Sequence, residues 1–361
     1  MWYHTKATEL LGIQYPILQG PFGGNLSSVE LVATVSNYGG LGGYGAYTLS
    51  PQEIVDVNNQ IKMATDKPYN INLWVSDTDA PENGITDTQF EETKKVFQPY
   101  FDEVGIPFPE KPLPFQSRFE NQMEVILDIR PKVFSFMFGV PSVSILEECR
   151  KRGIITIGAA TTLDEALFIE AAGVDMIIAS GFEAGGHRPS FLAKAESSTT
   201  GSFVLLQLIK EKVKVPVIAA GGIANGSGVA AALALGASAA QVGTAFLATE
   251  ESNALPIHKK MLFSDAAKYT TLSRAYTGRL GRGITSKIAQ EMVGRENLNL
   301  PFPLQTTFMS SLRKAALEQE KWDMILFWGG QIAPILKHTK TATLMQSLIE
   351  ETTAYFDNLK E

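Results

Sequence analysis

Apolar residues along this chain come in short runs closed by glycine or a charge, not in long or alternating stretches. Eight runs stand out: YPILQG (15–20), GLGGYG (40–45), NINLWV (70–75), VFSFMFG (133–139), IITIGAA (154–160), DMIIASG (175–181), VPVIAAGG (215–222) and AAQVGTAFL (239–247). None alternates polar with apolar, so each reads as a strand buried on both faces, the pattern of a parallel sheet covered by helices. Helix-like segments lie between most of them: SSVELVATVSN, SPQEIVDVNNQIKMA, VSILEECRKRG, TLDEALFIEAAG, FVLLQLIKEKV and GSGVAAALALG. Ser50 ahead of Pro51 and Glu53, and Thr162 opening TLDE, are helix starts of capping-box type, while Gly173 and Gly236 stand where helices stop. The repeat is βα. Eight parallel strands with right-handed crossovers predict an α/β fold, a (β/α)8 (TIM) barrel, in preference to the competing doubly wound sheet.

Two stretches exceed a minimal barrel. Residues 76–126 are too long for one crossover and read as SDTDAPENG, a charged helical stretch to Val104, GIPFPEKPLPF and a second helix. Residues 252–361 follow the last strand and read as helices broken by GRLGRG (278–283) and LNLPFPL (298–304), ending in the polar helix TLMQSLIEETTAYFDNLKE. The expected organisation is therefore a barrel over 1–251 with an inserted segment at about 76–126, and a mainly helical C-terminal region over 252–361 covering the barrel mouth.

Composition narrows the function classes. With 361 residues, 45% hydrophobic and 19% charged, the chain can build a sizeable core, which excludes a disordered protein. Lys plus Arg number 31 against 38 Asp plus Glu, a net charge of -7, so there is no broad basic footprint and no nucleic-acid partner is expected. No run reaches the ~18 apolar residues of a membrane span, and MWYHTKATELLGIQYP lacks the basic-then-apolar order of an export signal. A cytoplasmic protein with no membrane partner is the expectation. The lone Cys149 makes neither an intrachain disulfide nor a multi-cysteine metal site.

In such a barrel the working groups lie at the C-terminal ends of the strands. The sixth strand ends in SGFEAGGHRPSF, placing Glu183, His187 and Arg188 on a loop with Gly181, Gly185 and Gly186. A histidine in that frame can serve as base, acid or hydrogen-bond donor near neutral pH, and the glycines let backbone approach a ligand. Glu183 and Arg188 read as an anion grip or, by default, a surface ion pair. The other histidines, His4, His258 and His338, fall where solvated positions are expected. The seventh strand ends AAGGIANGSG and the eighth reads QVGTAF, supplying Gly221, Gly222, a helix start near Gly226, Gly243 and Thr244. Loops after strands 7 and 8 form the recurring phosphate site of these barrels, where backbone N–H groups freed by glycine turns cradle an anion. After the first strand, Gln19, Gly20, Pro21, Phe22 and Gly23 can line the same mouth, and Asn72 is a polar residue inside an apolar strand. Trp328 and Gln331 in FWGGQ are lid candidates, with core packing the default role for Trp328. HExxH, GxSxG, clustered Cys/His and paired carboxylates are all missing, so no metal is expected and the chemistry points to an organic cofactor carrying a phosphate.

At GFEAGGHRPSF, AAGGIANGSGVAAALALGA and QVGTAFLATEES the sequence resembles the nitronate monooxygenase family, FMN-dependent barrel enzymes. The resemblance extends through YPILQGPFGG, VSNYGGLGGYG, NINLW and SRAYTGRLGRGI (273–284) and covers most of the chain outside 76–126. It implies oxidation of nitronates, and of nitroalkanes once deprotonated, by molecular oxygen to carbonyl compounds and nitrite. It also implies His187 as the catalytic histidine, Asn72 and Gly185 as flavin contacts, and Gly222, Gln241, Val242, Gly243 and Thr244 as the FMN phosphate loops. The chain departs from the family pattern at Ser180, where a flavin-contacting Gln is usual, at Pro189, where Gly usually follows His-Arg, and at QGPF, where QAPM is commoner. FMN-dependent enoyl-acyl-carrier-protein reductases share EAGGH, so an NAD(P)H oxidoreductase of that or the quinone reductase type is the alternative. His-Arg after EAGG and the long C-terminal region stand closer to the monooxygenases.

Overall fold

The computed structural model describes residues 1–359, and its organising feature is a ring of eight parallel strands. In chain order the strands are β1 (Ile17–Gln19), β2 (Gly42–Gly45), β3 (Tyr69–Trp74), β4 (Val133–Met137), β5 (Ile155–Ala160), β6 (Met176–Ser180), a two-residue β7 (Gly186–His187) that stands outside the ring, β8 (Val217–Ala220) and β9 (Ala239–Val242). The ring runs β1-β9-β8-β6-β5-β4-β3-β2, and a parallel bridge from Leu18 to Leu41 closes it between β1 and β2. This is a (β/α)8 TIM barrel. Alternate residues point inward, where Leu18, Val133, Ile155, Ile157, Met176, Ile178 and Ile218 fill the centre. Their neighbours Ile17, Ile71, Phe134, Phe136, Ile177 and Val217 point outward under the helices. Both faces are buried, which is why the sequence shows apolar runs without alternation.

Helices Val29–Asn37, Pro51–Ala64, Phe119–Ile129, Val143–Lys151, Leu163–Ala171, Ser202–Lys212 and Gly226–Ala234 make seven of the crossovers. Ser50 and Glu53 form the expected capping box. Thr162 also caps its helix, but the Glu165 carboxylate turns away to accept from Thr161 and from the backbone of Phe191 and Leu192, so the reciprocal bond is absent there. The outer ring is completed by Thr341–Asn358, which packs beside Val29–Asn37 and Gly226–Ala234 and buries Leu344, Met345 and Leu348 in the main core. That segment belongs to the barrel wall and not to a cover over the mouth.

Three further expectations need correction. Of the 76–126 stretch, the second helix is an ordinary crossover: Phe119, Met123 and Ile126 pack into the barrel core. The added element is the helix Asp87–Val104, whose Phe97 and Phe101 meet Phe308 of helix Leu304–Glu318 in a second core. The run at 239–247 is strand only to Val242; Thr244–Leu247 is a helical turn. The GRLGRG stretch is no simple break, because β10 (Thr270–Ser273) and β11 (Gly281–Ile284) pair antiparallel, and β11 pairs in turn with β7 over the barrel. Among the described residues, no helix is long and apolar enough to cross a membrane.

Candidate active site

Two glycine turns at adjacent strand ends open one side of the mouth. Gly221 and Gly222 follow β8 with φ of 104° and 72°, a backbone region that favours glycine, and Gly243 follows β9. The backbone N–H groups of Gly222 and Gly243 donate to no described residue, and a Cβ built on Gly243 would meet nothing within 4 Å. Gly20, at the end of β1, donates to Val242 O at 2.9 Å, which brings it beside Gly243. The result is a shallow cradle of free donors suited to a phosphate. The helix start at Gly226 does not belong to it. Two of its first three N–H groups are already taken, Gly226 by the Glu351 carboxylate at 2.8 Å and Gly228 by Asn225 at 2.9 Å.

The barrel's own strands supply the polar floor. Asn72 and, two residues earlier on the same strand face, Asn70 are both buried, and their Nδ2 groups donate to Ser135 Oγ at 2.9 and 2.8 Å. Both Oδ1 atoms are left without a partner in the interior. A buried carbonyl without a donor is costly, so the pair fits a polar group entering from above, such as the N–H edge of a flavin ring. Asn70 is absent from the sequence reading, although the period-two N-I-N pattern carried the signal. Ser180, at the inward end of β6, is nearly buried and Gln241 is half-buried at the end of β9. Gln19 is a structural amide, accepting from Gly43 N at 2.8 Å and donating to Gly20 O, and it does not line the mouth. Phe22 is half-buried and bridges to Tyr44, with Pro21 between it and the cradle. Gly185 serves close packing, since a Cβ there would lie 2.5 Å from Gly330 N.

His187 is carried over the mouth by the β7–β11 ladder, opposite Gly281. Its ring stands in a box of aromatic side chains: Trp328 at 4.8 Å, Trp74 at 5.2 Å, Phe302 at 6.1 Å and Phe138 at 6.4 Å between ring centres, with Tyr47 stacked on Trp74 at 3.6 Å. Nε2 lies 2.9 Å from Thr277 Oγ1. Burial, and secondly the charge of Arg279, push its pKa down to about 3, so the imidazole is neutral. The Arg279 guanidinium lies 4.1 and 4.5 Å from the ring centres of Phe138 and Phe302, donates to both Asp79 oxygens at 2.8 and 2.6 Å, and reaches Ser76 O at 2.8 Å. It thereby ties the segment after β3 to the C-terminal region. Thr277, Arg279, Asp79, Trp74, Phe138 and Phe302 come from segments far apart in the chain, and sequence reasoning did not assemble them.

The remaining candidates are scaffold. Arg188 is buried and donates to the carbonyls of Ser180, Gly181 and Ser198, while Glu183 accepts from Ser202 N and Oγ. They form neither an anion grip nor a surface ion pair; each ties down the loop that leads to His187. Trp328 belongs to the box, whereas the Gln331 side chain is exposed. His258 is buried, with Nε2 2.8 Å from Trp328 O, contrary to the solvated position expected. Cys149 is buried, and its thiol is pushed up to about 11 by desolvation.

Residues 4–351 match the family model described as nitronate monooxygenase. A probable nitronate monooxygenase of Staphylococcus aureus (strain JH9) is 35% identical over 353 residues, 97% of this chain and 98% of that one. A probable nitronate monooxygenase of Staphylococcus haemolyticus is 34% identical over the same shares. Among solved structures, nitroalkane oxidase from Streptomyces ansochromogenes superposes with a TM-score of 0.88 at 31% identity, covering 98% of this chain and 99% of that chain. FabK from Thermotoga maritima superposes with a TM-score of 0.75 at 26% identity, covering 99% and 98%.

Proposed function

Because this chain belongs to the nitronate monooxygenase family and is an oxidoreductase, we propose that it holds FMN at the barrel mouth and uses molecular oxygen to oxidise nitronates to carbonyl compounds and nitrite. The observation that carries this reading is the pairing of free N–H groups at Gly222 and Gly243 with the orphaned Asn70 and Asn72 carbonyls on the barrel floor. A flavin mononucleotide has a phosphate for the first and a polar ring edge for the second. The GxGxxG match at Gly40–Gly45 runs into strand β2 and opens no helix, so it is not the strand-to-helix turn that receives a dinucleotide's pyrophosphate. Gly20, Pro21, Phe22, Ser180, Gly221, Gln241, Val242 and Thr244 complete the set of residues we place around the cofactor, whereas Gly185 is accounted for by its packing against Gly330.

When bound, the flavin supplies the electron-accepting centre. The protein's part is to bind, desolvate and polarise. His187, kept neutral near physiological pH by burial and by the charge of Arg279, offers the form that accepts a proton from a nitroalkane or hydrogen-bonds the nitro group of a nitronate. Its low basicity places any contribution as a base toward the lower end of the usual ~10² to 10⁴-fold range and favours nitronates presented already ionised. Trp74, Phe138, Phe302 and Trp328 exclude water around it, which strengthens every electrostatic interaction inside. Arg279 adds positive potential behind two of those rings and favours an anionic substrate.

The likeness to nitroalkane oxidase exceeds that to FabK in both superposition and identity, which supports the oxygenase over the NAD(P)H reductase reading. The test is an oxygen electrode with a nitrite assay. Nitronate-dependent oxygen uptake with nitrite release is expected. Reduction of an enoyl thioester or quinone by NAD(P)H, with no nitronate turnover, would overturn the assignment.

A further inference from the structure

The proton on the Thr277 hydroxyl has a defined destination. Thr277 Oγ1 donates to Arg279 O at 3.1 Å and accepts from Arg279 N at 3.3 Å, and it lies 2.9 Å from His187 Nε2. A hydroxyl has one hydrogen to give and two lone pairs to receive. With the hydrogen on Arg279 O, the contact to the imidazole closes as a hydrogen bond only if Nε2 carries the ring's proton. The reverse arrangement would turn the hydroxyl toward Nε2 and leave the Arg279 carbonyl with no donor among the described residues. Thr277 and Arg279 are 9% and 5% exposed, so water would not readily replace the lost bond. His187 Nδ1 has no hydrogen-bond partner among the described residues.

We propose that Thr277 is a positioning residue that holds His187 as the Nε2–H tautomer, leaving Nδ1 as the nitrogen that takes up a proton or accepts a hydrogen bond in the reaction. The imidazole is then gripped twice, by its backbone in the β7–β11 ladder and by its far nitrogen through Thr277. The β11 end of this grip is tight: a Cβ on Gly281, the residue paired with His187, would lie 2.7 Å from the Trp328 ring. One ring nitrogen that is committed to a fixed acceptor defines the role of the other, the same logic by which a partner sets the tautomer of other catalytic histidines. The consequence for turnover rests on the nitronate reading; the tautomer itself does not.

Nitrogen-15 NMR of histidine-labelled protein tests the proposal directly, with His187→Asn identifying the His187 signals by their loss. At neutral pH the wild-type ring is expected to show a protonated Nε2 and an unprotonated Nδ1. Thr277→Val, which keeps the shape and removes the acceptor, should convert this pattern to a mixture of tautomers and lower kcat on a neutral nitroalkane about tenfold with little change in KM. Thr277→Ser should restore both. A wild-type spectrum with the proton on Nδ1, or an unchanged spectrum in a folded Thr277→Val protein, overturns the proposal. Should the valine variant not fold, the wild-type and serine spectra decide it alone. If the expected tautomer is found in a protein that does not turn over nitronates, the functional reading fails and the positioning role stands.

Discussion

Replacing Gly243 with alanine separates a cofactor cradle from a merely structural turn. The added methyl would have no described atom within 4 Å, and the φ of −106° lies outside the region that favours glycine. The substitution should therefore leave stability within about 0.5 kcal/mol of the parent. The same methyl stands where a phosphate must approach the N–H groups of Gly222 and Gly243. Hydrogen bonds to a charged group contribute about 1.5–3 kcal/mol each, so losing one should weaken FMN binding by roughly ten- to a hundredfold. Titration of flavin-free protein with FMN, followed by flavin fluorescence, gives the dissociation constant, and thermal unfolding of the same sample reports the fold. Gly222→Ala is the contrasting case: at φ 72° it should cost about 1–2 kcal/mol of stability besides its effect on the flavin. Wild-type FMN affinity in a fully folded Gly243→Ala protein would refute the cradle.

His187→Asn at full flavin loading should depress turnover of neutral nitroalkanes about 10²-fold more than turnover of preformed nitronates, because only the former need a proton removed; equal losses in steady-state assays would restrict His187 to hydrogen bonding. His258, neutral when folded with a pKa of about 4 against about 6.5 unfolded, opposes folding as pH falls: between these values the unfolded chain binds a proton that the native one does not. Urea titrations should show stability falling from pH 6.5 toward 4, by an amount on the order of 3 kcal/mol from this residue, and a shallower fall in His258→Gln; an identical slope would contradict the assignment. Asp79→Asn strips the buried Arg279 of its carboxylate, and because Asp79 is itself 42% exposed the expected loss is about 1–3 kcal/mol, read as a drop in Tm; no change would show that the pair does not anchor the mouth.

The barrel was legible because each of its strands is buried on both faces and leaves an unbroken apolar run. What escaped were elements whose stability comes from elsewhere. The strand Gly281–Ile284 carries two glycines and an arginine, so nothing in its composition announces a strand; it exists through backbone pairing with Thr270–Ser273 and Gly186–His187. Thr341–Asn358 reads as polar overall, yet Leu344, Met345, Leu348 and Thr352 lie on one face at helical spacing, and that stripe marks a packed wall helix. His187 and the two glycine turns stood out at strand ends, where barrel geometry concentrates function. The aromatic box did not, because only Trp74 ends a strand, while Tyr47, Phe138, Phe302 and Trp328 reach it from outside the barrel strands along paths that only the folded chain defines. Asn70 and Asn72 carried a readable signal, two amides on one face of an otherwise apolar strand; their shared acceptor Ser135 satisfies the Nδ2 groups and leaves the Oδ1 atoms for another partner.

Electron transfer from a nitronate to a flavin in this mouth is the step on which the proposed activity turns. It is tested most directly by mixing the FMN-loaded protein, under anaerobic conditions, with an alkyl nitronate and separately with NADPH or NADH, while recording the flavin absorption spectrum. The nitronate alone is expected to change the flavin spectrum, and admitting oxygen to restore it with release of nitrite. A flavin that is inert to the nitronate and bleached only by the reduced nicotinamide would contradict that expectation.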